Sequence, residues 1–201
     1  MEMMVPESKC IKRKNGNKEW RLNKILHRED GPAIIRANGD QLWYCNGKLH
    51  REDGPAFMWA DGDQAWLRNG VLHREDGPAI MLANGDQEWR HNGQIHRVGG
   101  PAVEKIDGRK IWYHHGKIHR ENGPAIIRAN GDQLWYRDGV LHREDGPAVI
   151  GASGSQTWYF NGEIHREDGP AIVREDGSEE YWEHDRRIIN NDHTPSSPRR
   201  T

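Results

Sequence analysis

The sequence repeats itself with a period of 23 residues, and this regularity constrains the fold more than any other feature. One histidine recurs at this spacing seven times without an insertion, from His27 to His165. One proline and one tryptophan per unit keep the same step, beginning at Pro32 and Trp20. A fixed period of this length indicates stacked units, none of which can bury its apolar face alone. We therefore expect an array of units rather than one compact core.

The composition agrees with such an array. Only 34% of the residues are hydrophobic and the mean hydropathy is -1.03, which leaves little apolar surface for a conventional core. Disordered chains are poor in aromatic residues and high in net charge. This chain instead has nine tryptophans and a net charge of -2. Both a disordered chain and a compact enzyme with a single core are therefore disfavoured.

Each unit has the signals of β-structure. Asn-Gly pairs occur twice in the first unit, at Asn38-Gly39 and Asn46-Gly47. Asn-Gly is the strongest short-range signal for a type I′ hairpin turn. The segment 40–45 between the two pairs has the length and aromatic centre of a strand, and Ala33–Arg36 reads as a second, shorter strand. No segment of helical length is free of Gly or Pro, so a helical repeat is excluded.

Comparison of the units with one another predicts which side chains face inward. The position after each Pro-Ala pair is never polar, as at Ile34, and neither is the position before each histidine, as at Leu26. With the alanine and the tryptophan, these positions give four inward residues per unit. The position before the tryptophan varies from Leu42 to Glu88. We expect that position to face water, as on the solvated side of an antiparallel sheet.

The predicted fold is all-β: an elongated repeat array of antiparallel β-hairpins, with seven repeats of 23 residues and a partial N-terminal unit. Residues 1–9 are expected to be an N-terminal lead, 10–187 the repeat domain, with its seven full units from His27 to Arg187, and 188–201 a flexible basic tail. Stacked repeats contact mainly their neighbours and need caps at both ends. The polar segment Lys12-Arg13-Lys14 and the atypical last unit are expected to serve as these caps.

Units of about 23 residues with Asn-Gly turns, a central aromatic residue and a glycine after a short charged stretch resemble MORN repeats. The nearer resemblance is to the divergent bacterial variant found in repeat proteins described as antitoxins, and it covers about residues 10–187. It implies consecutive hairpins side by side in a single twisted sheet, an open solenoid. MORN units usually carry Tyr-x-Gly and Gly-x-Gly, whereas this chain has His-Arg-Glu-Asp-Gly-Pro-Ala in every unit but two. Such units also resemble those of phage and other viral proteins, which implies a viral source.

The stacked His-Arg-Glu-Asp segments offer one candidate site, an array of cations for a polyanion, a nucleotide or an acidic protein. The structural interpretation is that Asp53 and its equivalents bond the turn backbone, while Arg51 pairs with a carboxylate one unit away. Residues present in every unit usually serve the repeat itself, so we favour this second interpretation. The anion-binding alternative names the following residues: His50, Arg51, His73, Arg74, His96, Arg97, His119 and Arg120.

Metal binding and catalysis find less support. The doublet His114-His115, with His91 one unit earlier, makes a histidine patch that we interpret as ordinary surface histidines. Cys10 and Cys45 have neither metal nor redox spacing. There is no Ser/His/Asp order, nucleophile elbow or Gly-rich phosphate loop opening a helix. We expect no metal site, no cofactor and no enzymatic activity.

Departures from the repeat are better pointers to function, because the fold does not require them. Trp59 in the second unit replaces the arginine found at Arg36 and Arg128. Met58 flanks it, and we expect Met81 and Leu82 of the third unit on the same face. Aromatic and Met anchors suit a protein interface. The alternative is a second packing layer, formed by the tail or by another subunit. The predicted protein-binding patch comprises the following residues: Tyr44, Met58, Trp59, Leu67, Met81 and Leu82.

The leading hypothesis from the sequence is a non-enzymatic scaffold that binds a partner protein. The resemblance implies an inhibitor of the antitoxin kind, with a toxin or a host defence enzyme as partner. A sponge for small anions or nucleotides and a self-assembling structural protein, that is, a homo-oligomer, are the alternatives. The near-neutral charge argues against nucleic acid as a partner. No apolar run reaches the ~20 residues needed to span a bilayer, and the N-terminus lacks a signal-peptide core. A cytoplasmic location is therefore expected, in the host cytoplasm if the source is viral.

Overall fold

The structure is a computed structural model and describes residues 7–189. Every regular element in this range is a β-strand, and the strands pair as antiparallel hairpins, so the predicted all-β hairpin array is confirmed. In residues 7–189 no helix has the length and apolar character that a membrane crossing requires. The chain divides into two compact units, Met1–Lys117 and Ile118–Thr201. The repeat pattern did not predict this division, and we describe each unit by itself.

Most strands are only two residues long. The strands of the first unit are β1 (Lys9–Lys12), β2 (Lys18–Leu22), β3 (Ile25–Leu26), β4 (Ile34–Ile35), β5 (Gln41–Leu42), β6 (Tyr44–Cys45), β7 (Lys48–Leu49), β8 (Phe57–Met58), β9 (Gln64–Ala65), β10 (Leu67–Arg68), β11 (Val71–Leu72), β12 (Ile80–Met81), β13 (Gln87–Glu88), β14 (Arg90–His91), β15 (Gln94–Ile95), β16 (Val103–Glu104), β17 (Lys110–Ile111) and β18 (Tyr113–His114). Strand β19 (Lys117–Ile118) spans the boundary. The strands of the second unit are β20 (Ile126–Ile127), β21 (Gln133–Leu134), β22 (Tyr136–Arg137), β23 (Val140–Leu141), β24 (Val149–Ile150), β25 (Gln156–Thr157), β26 (Tyr159–Phe160), β27 (Glu163–Ile164), β28 (Ile172–Val173), β29 (Glu179–Glu183) and β30 (Arg186–Ile188).

Each repeat contributes two different hairpins. One belongs to an antiparallel inner ladder, which in the first unit runs β1-β2-β4-β5-β8-β9-β12-β13-β16-β17. In the second unit the inner ladder runs β20-β21-β24-β25-β28-β29. The other hairpin, here called the outer hairpin, pairs with itself, as β6 does with β7 and β10 with β11.

The tryptophan divides the two hairpins of each repeat. The sequence predicts one strand over residues 40–45, but the structure breaks it at Trp43 into β5 and β6. The Trp43 amide donates to the Ala56 carbonyl at 2.8 Å, and the Trp43 carbonyl accepts from the His50 amide at 3.1 Å. The chain therefore leaves the inner ladder at Trp43 and rejoins it after Ala56.

This break explains why one burial prediction is wrong. Ile34 lies opposite Leu42, Leu42 opposite Phe57, and Phe57 opposite Ala65, so these side chains share one face of the inner ladder. Leu42 is 3% exposed and Ala65 is 4% exposed. The position before the tryptophan was expected to face water, yet at these two sites it lies in the core.

The innermost side chains are small. The alanine after each proline is 0% exposed in every repeat, and no large side chain of the described residues is fully buried. The tryptophans are half-buried, so the prediction that they form the core is right only in part. The fully buried alanines are Ala33, Ala56, Ala79, Ala102, Ala125, Ala148 and Ala171.

A carboxylate links consecutive repeats at the turns of the inner ladder. The Ala60 amide donates to Oδ1 of Asp40 at 2.9 Å, and Arg36 pairs with Oδ2 at 3.0 Å. The Ala60 hydrogen bond is the main reason why the pKa of Asp40 lies below its ordinary value. The same carboxylate link recurs at Asp63 with Ala83, Asp86 with Ile106, and Asp132 with Ala152, and the side-chain amide oxygen of Asn17 accepts from Ala37 in the same way.

The two turns of each repeat differ in type. Asn46 and Gly47 both have positive φ, 49° and 79°, as the predicted type I′ turn requires. At the other turn only Gly39 is left-handed, with φ 100°. There the Gly39 amide donates to the Arg36 carbonyl and the Arg36 amide to the Asp40 carbonyl. This is a three-residue loop with a bulged glycine, so the type I′ prediction is wrong at Asn38-Gly39.

Longer strands stand at the two ends of the described range. Strand β1 pairs with β2 over four residue pairs, and β29 pairs with β30 over three. The predicted caps and the predicted boundaries at residues 10 and 187 stay predictions. Residues 1–6 of the lead and 190–201 of the predicted tail lie outside the described residues.

Candidate functional site

The His-Arg-Glu-Asp loop is closed by contacts with the tryptophan just before it and within the loop itself. The Arg51 guanidinium lies 4.3 Å from the centre of the Trp43 ring, and its Nε donates to Asp53 at 3.0 Å. The expected pairing of Arg51 with a carboxylate one 23-residue repeat away is therefore wrong. The bond and charge of Arg51 lower the pKa of Asp53. A Cβ at Gly54 would lie 2.8 Å from Cζ of Arg51, so this glycine makes room for the guanidinium.

The arginine–tryptophan stack recurs in both units. A cation over an aromatic face is attracted by the negative π-surface. The other stacked pairs are Arg28 on Trp20, Arg74 on Trp66, Arg97 on Trp89, Arg143 on Trp135, and Arg166 on Trp158. The matching arginine–aspartate pairs are Arg28–Asp30, Arg74–Asp76, Arg143–Asp145 and Arg166–Asp168.

The repeated histidine links the outer hairpin before it to the outer hairpin after it. Nδ1 of His50 accepts the backbone amide of Asn69, in the following outer hairpin, at 3.1 Å. The proton of the neutral ring therefore lies on Nε2, which is 3.0 Å from Glu52. The same amide-to-histidine bond joins Asn46 to His27, Asn92 to His73, His115 to His96, Asp138 to His119, and Asn161 to His142.

These contacts give the predicted anion-binding residues a structural role. His50, His73, His96 and His119 all accept a backbone amide from the following outer hairpin. Arg51 and Arg74 are held by an aspartate of their own loop. Two arginines have other partners: Arg97 donates to Glu104 at 2.7 Å, and Arg120 donates to the Pro124 carbonyl at 3.0 Å.

Grooves lie between successive loops, but their charge is mixed. One groove of about 560 Å³ in the first unit is lined by Arg51, Arg68 and Arg74 together with four carboxylates of the same two loops. A groove in which acids outnumber bases offers no net attraction for a small anion. The arrangement therefore favours the structural interpretation of these segments over the sponge.

The predicted protein-binding patch does not lie on one face. Phe57 and Met58 are consecutive in β8 and point to opposite faces. The Trp59 ring stacks on Phe57 with centroids 3.6 Å apart, which places Trp59 on the face opposite Met58. Tyr44 and Leu67 lie on outer hairpins instead. All six patch residues, Tyr44, Met58, Trp59, Leu67, Met81 and Leu82, are half-buried.

A more exposed set of variable residues lies on the outer hairpins, and sequence reasoning missed it. In β10 and β11, Arg68 lies opposite Val71, and both are exposed. The residues at equivalent positions differ in chemistry from repeat to repeat. The repeated histidines, arginines and tryptophans, here called the frame, stay the same. A column-by-column search for variable positions would have found them. The other pairs are Cys45–Lys48, His91–Gln94, Arg137–Val140, Phe160–Glu163 and Glu183–Arg186.

In the fourth repeat one of these variable positions, His114, belongs to a histidine cluster. His96, His114 and His115 each offer a ring nitrogen, and the three nitrogens lie within 4.8 Å of one another. His96 is half-buried, and the other two are exposed. Burial and, secondarily, the neighbouring His115, His114 and His91 lower the pKa of His96, which favours its neutral form. The patch predicted from the sequence contained His91, His114 and His115 but not His96.

No protein-family model matches the chain, and no curated protein matches it.

Proposed function

We propose that the protein is a non-enzymatic scaffold that binds a partner protein through its outer hairpins. One observation carries this proposal: the residues shared by all repeats are used in contacts within the frame, whereas the residues that vary are exposed at the hairpin tips. Stacked repeats with an invariant frame are well suited to presenting an extended binding surface. This surface replaces the patch around Trp59 as the proposed contact site.

The tips have a chemistry that suits a protein partner. The first unit presents Arg68 beside Val71, and the second unit repeats the pair as Arg137 beside Val140. Val71 and Val140 are each 44% exposed, and Phe160 is 40% exposed. Arginine and aromatic residues are enriched at protein interfaces. The proposed partner therefore presents apolar side chains flanked by carboxylates.

The resemblance described above implies a toxin or a host defence enzyme as this partner, which would make the protein an inhibitor. This narrower role remains a prediction, as does its cytoplasmic location. Self-assembly remains the main alternative, since exposed apolar side chains on one chain can also contact a second copy.

Site-specific photocrosslinking in the cells that naturally produce the protein tests the proposal. A photoreactive phenylalanine replaces Val71 or Val140 at the tips, and Ala83 or Ala152 at the turns of the inner ladder as matched exposed controls. We expect both tip positions to yield an adduct with the same protein and the control positions to yield none. No adduct at the tips, or equal adducts at all four positions, would contradict the proposal. Adducts of the chain with itself would replace it with self-assembly.

A further inference from the structure

The fourth repeat lacks the carboxylate that faces Nε2 of the repeated histidine in other repeats. This Nε2 lies 3.6 Å from Glu29 at His27, 3.0 Å from Glu52 at His50, and 3.5 Å from Glu75 at His73. The residue equivalent to these glutamates after His96 is Val98, which is 85% exposed. The same repeat is the one whose histidine has two further histidines beside it.

The two added histidines are not required by the frame. The position of His115 is occupied by asparagine at Asn46, Asn69 and Asn92, and asparagine tolerates positive φ well. His115 adopts φ 47° at this position, where a histidine is less readily accommodated. The position of His114 varies among the repeats and is arginine at Arg68 and Arg137 and phenylalanine at Phe160, so the fold does not require histidine there. Three departures, at residues 98, 114 and 115, thus converge on one imidazole.

We propose that His96, His114 and His115 bind one divalent transition-metal ion, with Zn²⁺ as the probe for this class. Imidazole is the ligand that Zn²⁺, Cu²⁺ and Ni²⁺ share, whereas Mg²⁺ and Ca²⁺ prefer oxygen. Three histidines and one open position form a known arrangement for zinc, and water would fill the fourth position. This site is independent of the partner binding proposed above.

The cluster has to contract to hold an ion. Tetrahedral coordination at ~2.0–2.1 Å from the metal places the ligand nitrogens about 3.3 Å apart, whereas the cluster nitrogens lie within 4.8 Å of one another. His114 and His115 are exposed, so their side chains have room to rotate towards His96. The His96 and His115 rings are already stacked, with centroids 4.5 Å apart and planes at 15°.

Binding also requires the hydrogen bond to Nδ1 of His96 to break. In the structure Nδ1 accepts the His115 amide at 3.2 Å, so the proton of the neutral ring lies on Nε2. Coordination through Nε2 transfers this proton to Nδ1, whereas coordination through Nδ1 leaves the proton in place and displaces the amide directly. Either route ends the bond between the His115 amide and His96, while the neutral ring keeps its single proton. Metal binding and this hydrogen bond are therefore alternatives.

Calorimetric titration of Zn²⁺ into the tag-free chain, in a Cys10→Ser/Cys45→Ser background, tests the site. His115→Asn restores the usual residue of the repeat, so we expect the variant to fold. His184 occupies the equivalent position in the last repeat, and His184→Asn is the matched control. We expect one ion per chain, an affinity about tenfold or more lower in His115→Asn, and no change in His184→Asn. His114→Arg should weaken binding in the same way.

Two outcomes would overturn the proposal: no saturable binding by the parent chain, or the same affinity in His115→Asn as in the parent. Amide exchange measured by NMR gives a second readout. With Zn²⁺ bound, the His115 amide should exchange faster, while the equivalent Asn92 amide, bonded to His73, should not change. Unchanged exchange at His115 in a saturated sample would contradict the predicted loss of the hydrogen bond.

Discussion

Two histidines of the second unit, His142 and His165, allow the stabilisation by the amide-to-histidine hydrogen bond to be measured. Nδ1 of His142 accepts the Asn161 amide at 3.1 Å, whereas Nδ1 of His165 is buried without a hydrogen-bond partner. Their side chains are similarly buried, 3% and 11% exposed. Both rings lie near Phe160, with centroids 5.0 and 6.0 Å away. The substitution His→Leu therefore removes an accepted hydrogen bond at one site and an unsatisfied nitrogen at the other.

The expected costs differ in size and in sign. An amide left without its acceptor costs about 1–3 kcal/mol. Because Asn161 is exposed and water can reach it, we expect His142→Leu to lower the free energy of unfolding by about 1–2 kcal/mol. A buried polar atom without a partner costs about 1–3 kcal/mol in mutational data. Its removal by His165→Leu should leave stability unchanged or raise it.

Thermal unfolding followed by tryptophan fluorescence measures the difference. For a domain of 60–100 residues each kcal/mol shifts the midpoint by about 4–8 °C, so His142→Leu should melt at least 4 °C below His165→Leu. His27→Leu, which removes the bond to Asn46 in the first unit, should lower stability as His142→Leu does. Equal destabilisation by His142→Leu and His165→Leu would refute the reasoning, because loss of the imidazole ring alone would then explain both.

Three further predictions follow from the frame. Ala79→Val should overpack a site that is 0% exposed and lower the free energy of unfolding by about 1–3 kcal/mol. Val at the exposed Ala83 should change this free energy by no more than about 0.5 kcal/mol. Chemical denaturation measures both variants. The Asp86 carboxyl has a lowered pKa, chiefly through a backbone amide, so its contribution to stability is complete above the ordinary value near 3.8 and is lost as the pH falls through the folded value. Asp86→Asn should therefore flatten the acid side of a plot of melting temperature against pH, and an unchanged slope would contradict this. Arg74→Lys should cost about 1 kcal/mol through the lost ring stack and change the fluorescence of the indole beneath it, while Lys at the exposed Arg68 should do neither.

The features predicted from the sequence were those that each repeat determines by itself. The period, the hairpins, the type I′ turn at Asn46-Gly47 and the buried alanines are confirmed. Each depends on a local preference, such as positive φ, or on a position that never varies.

The errors about burial and about the protein-binding patch concern contacts made across the break at the tryptophan. Alternation along one strand places Leu42 and Trp43 on opposite faces, but the chain changes from one hairpin to another between them. A strand of two residues is too short to show a period, so the pattern could not reveal the break. The same limitation placed Met58 and Trp59 in one patch.

The histidine cluster was missed for a different reason. His114 and His115 are adjacent in sequence, whereas His96 precedes them by most of a repeat. His96 comes close to them because the His115 amide donates a hydrogen bond to its Nδ1. That bond depends on the stacking of repeats. Sequence spacing alone therefore separates residues that the fold brings together.

Hydrogen bonds join successive outer hairpins in the same pattern along the array. The following hairpin donates two successive amides, as Asn46 donates to His27 and Gly47 to the Leu26 carbonyl, and its Tyr44 carbonyl accepts the Arg28 amide at 3.1 Å. A repeat inserted within either unit would make the same three hydrogen bonds with its successor and with its predecessor, so both neighbours would keep their partners. Duplication of a 23-residue segment is therefore compatible with the fold at any such junction. A segment of 22 or 24 residues would misplace both donors. The length of the array can thus change by gene duplication in whole steps, without any compensating substitution.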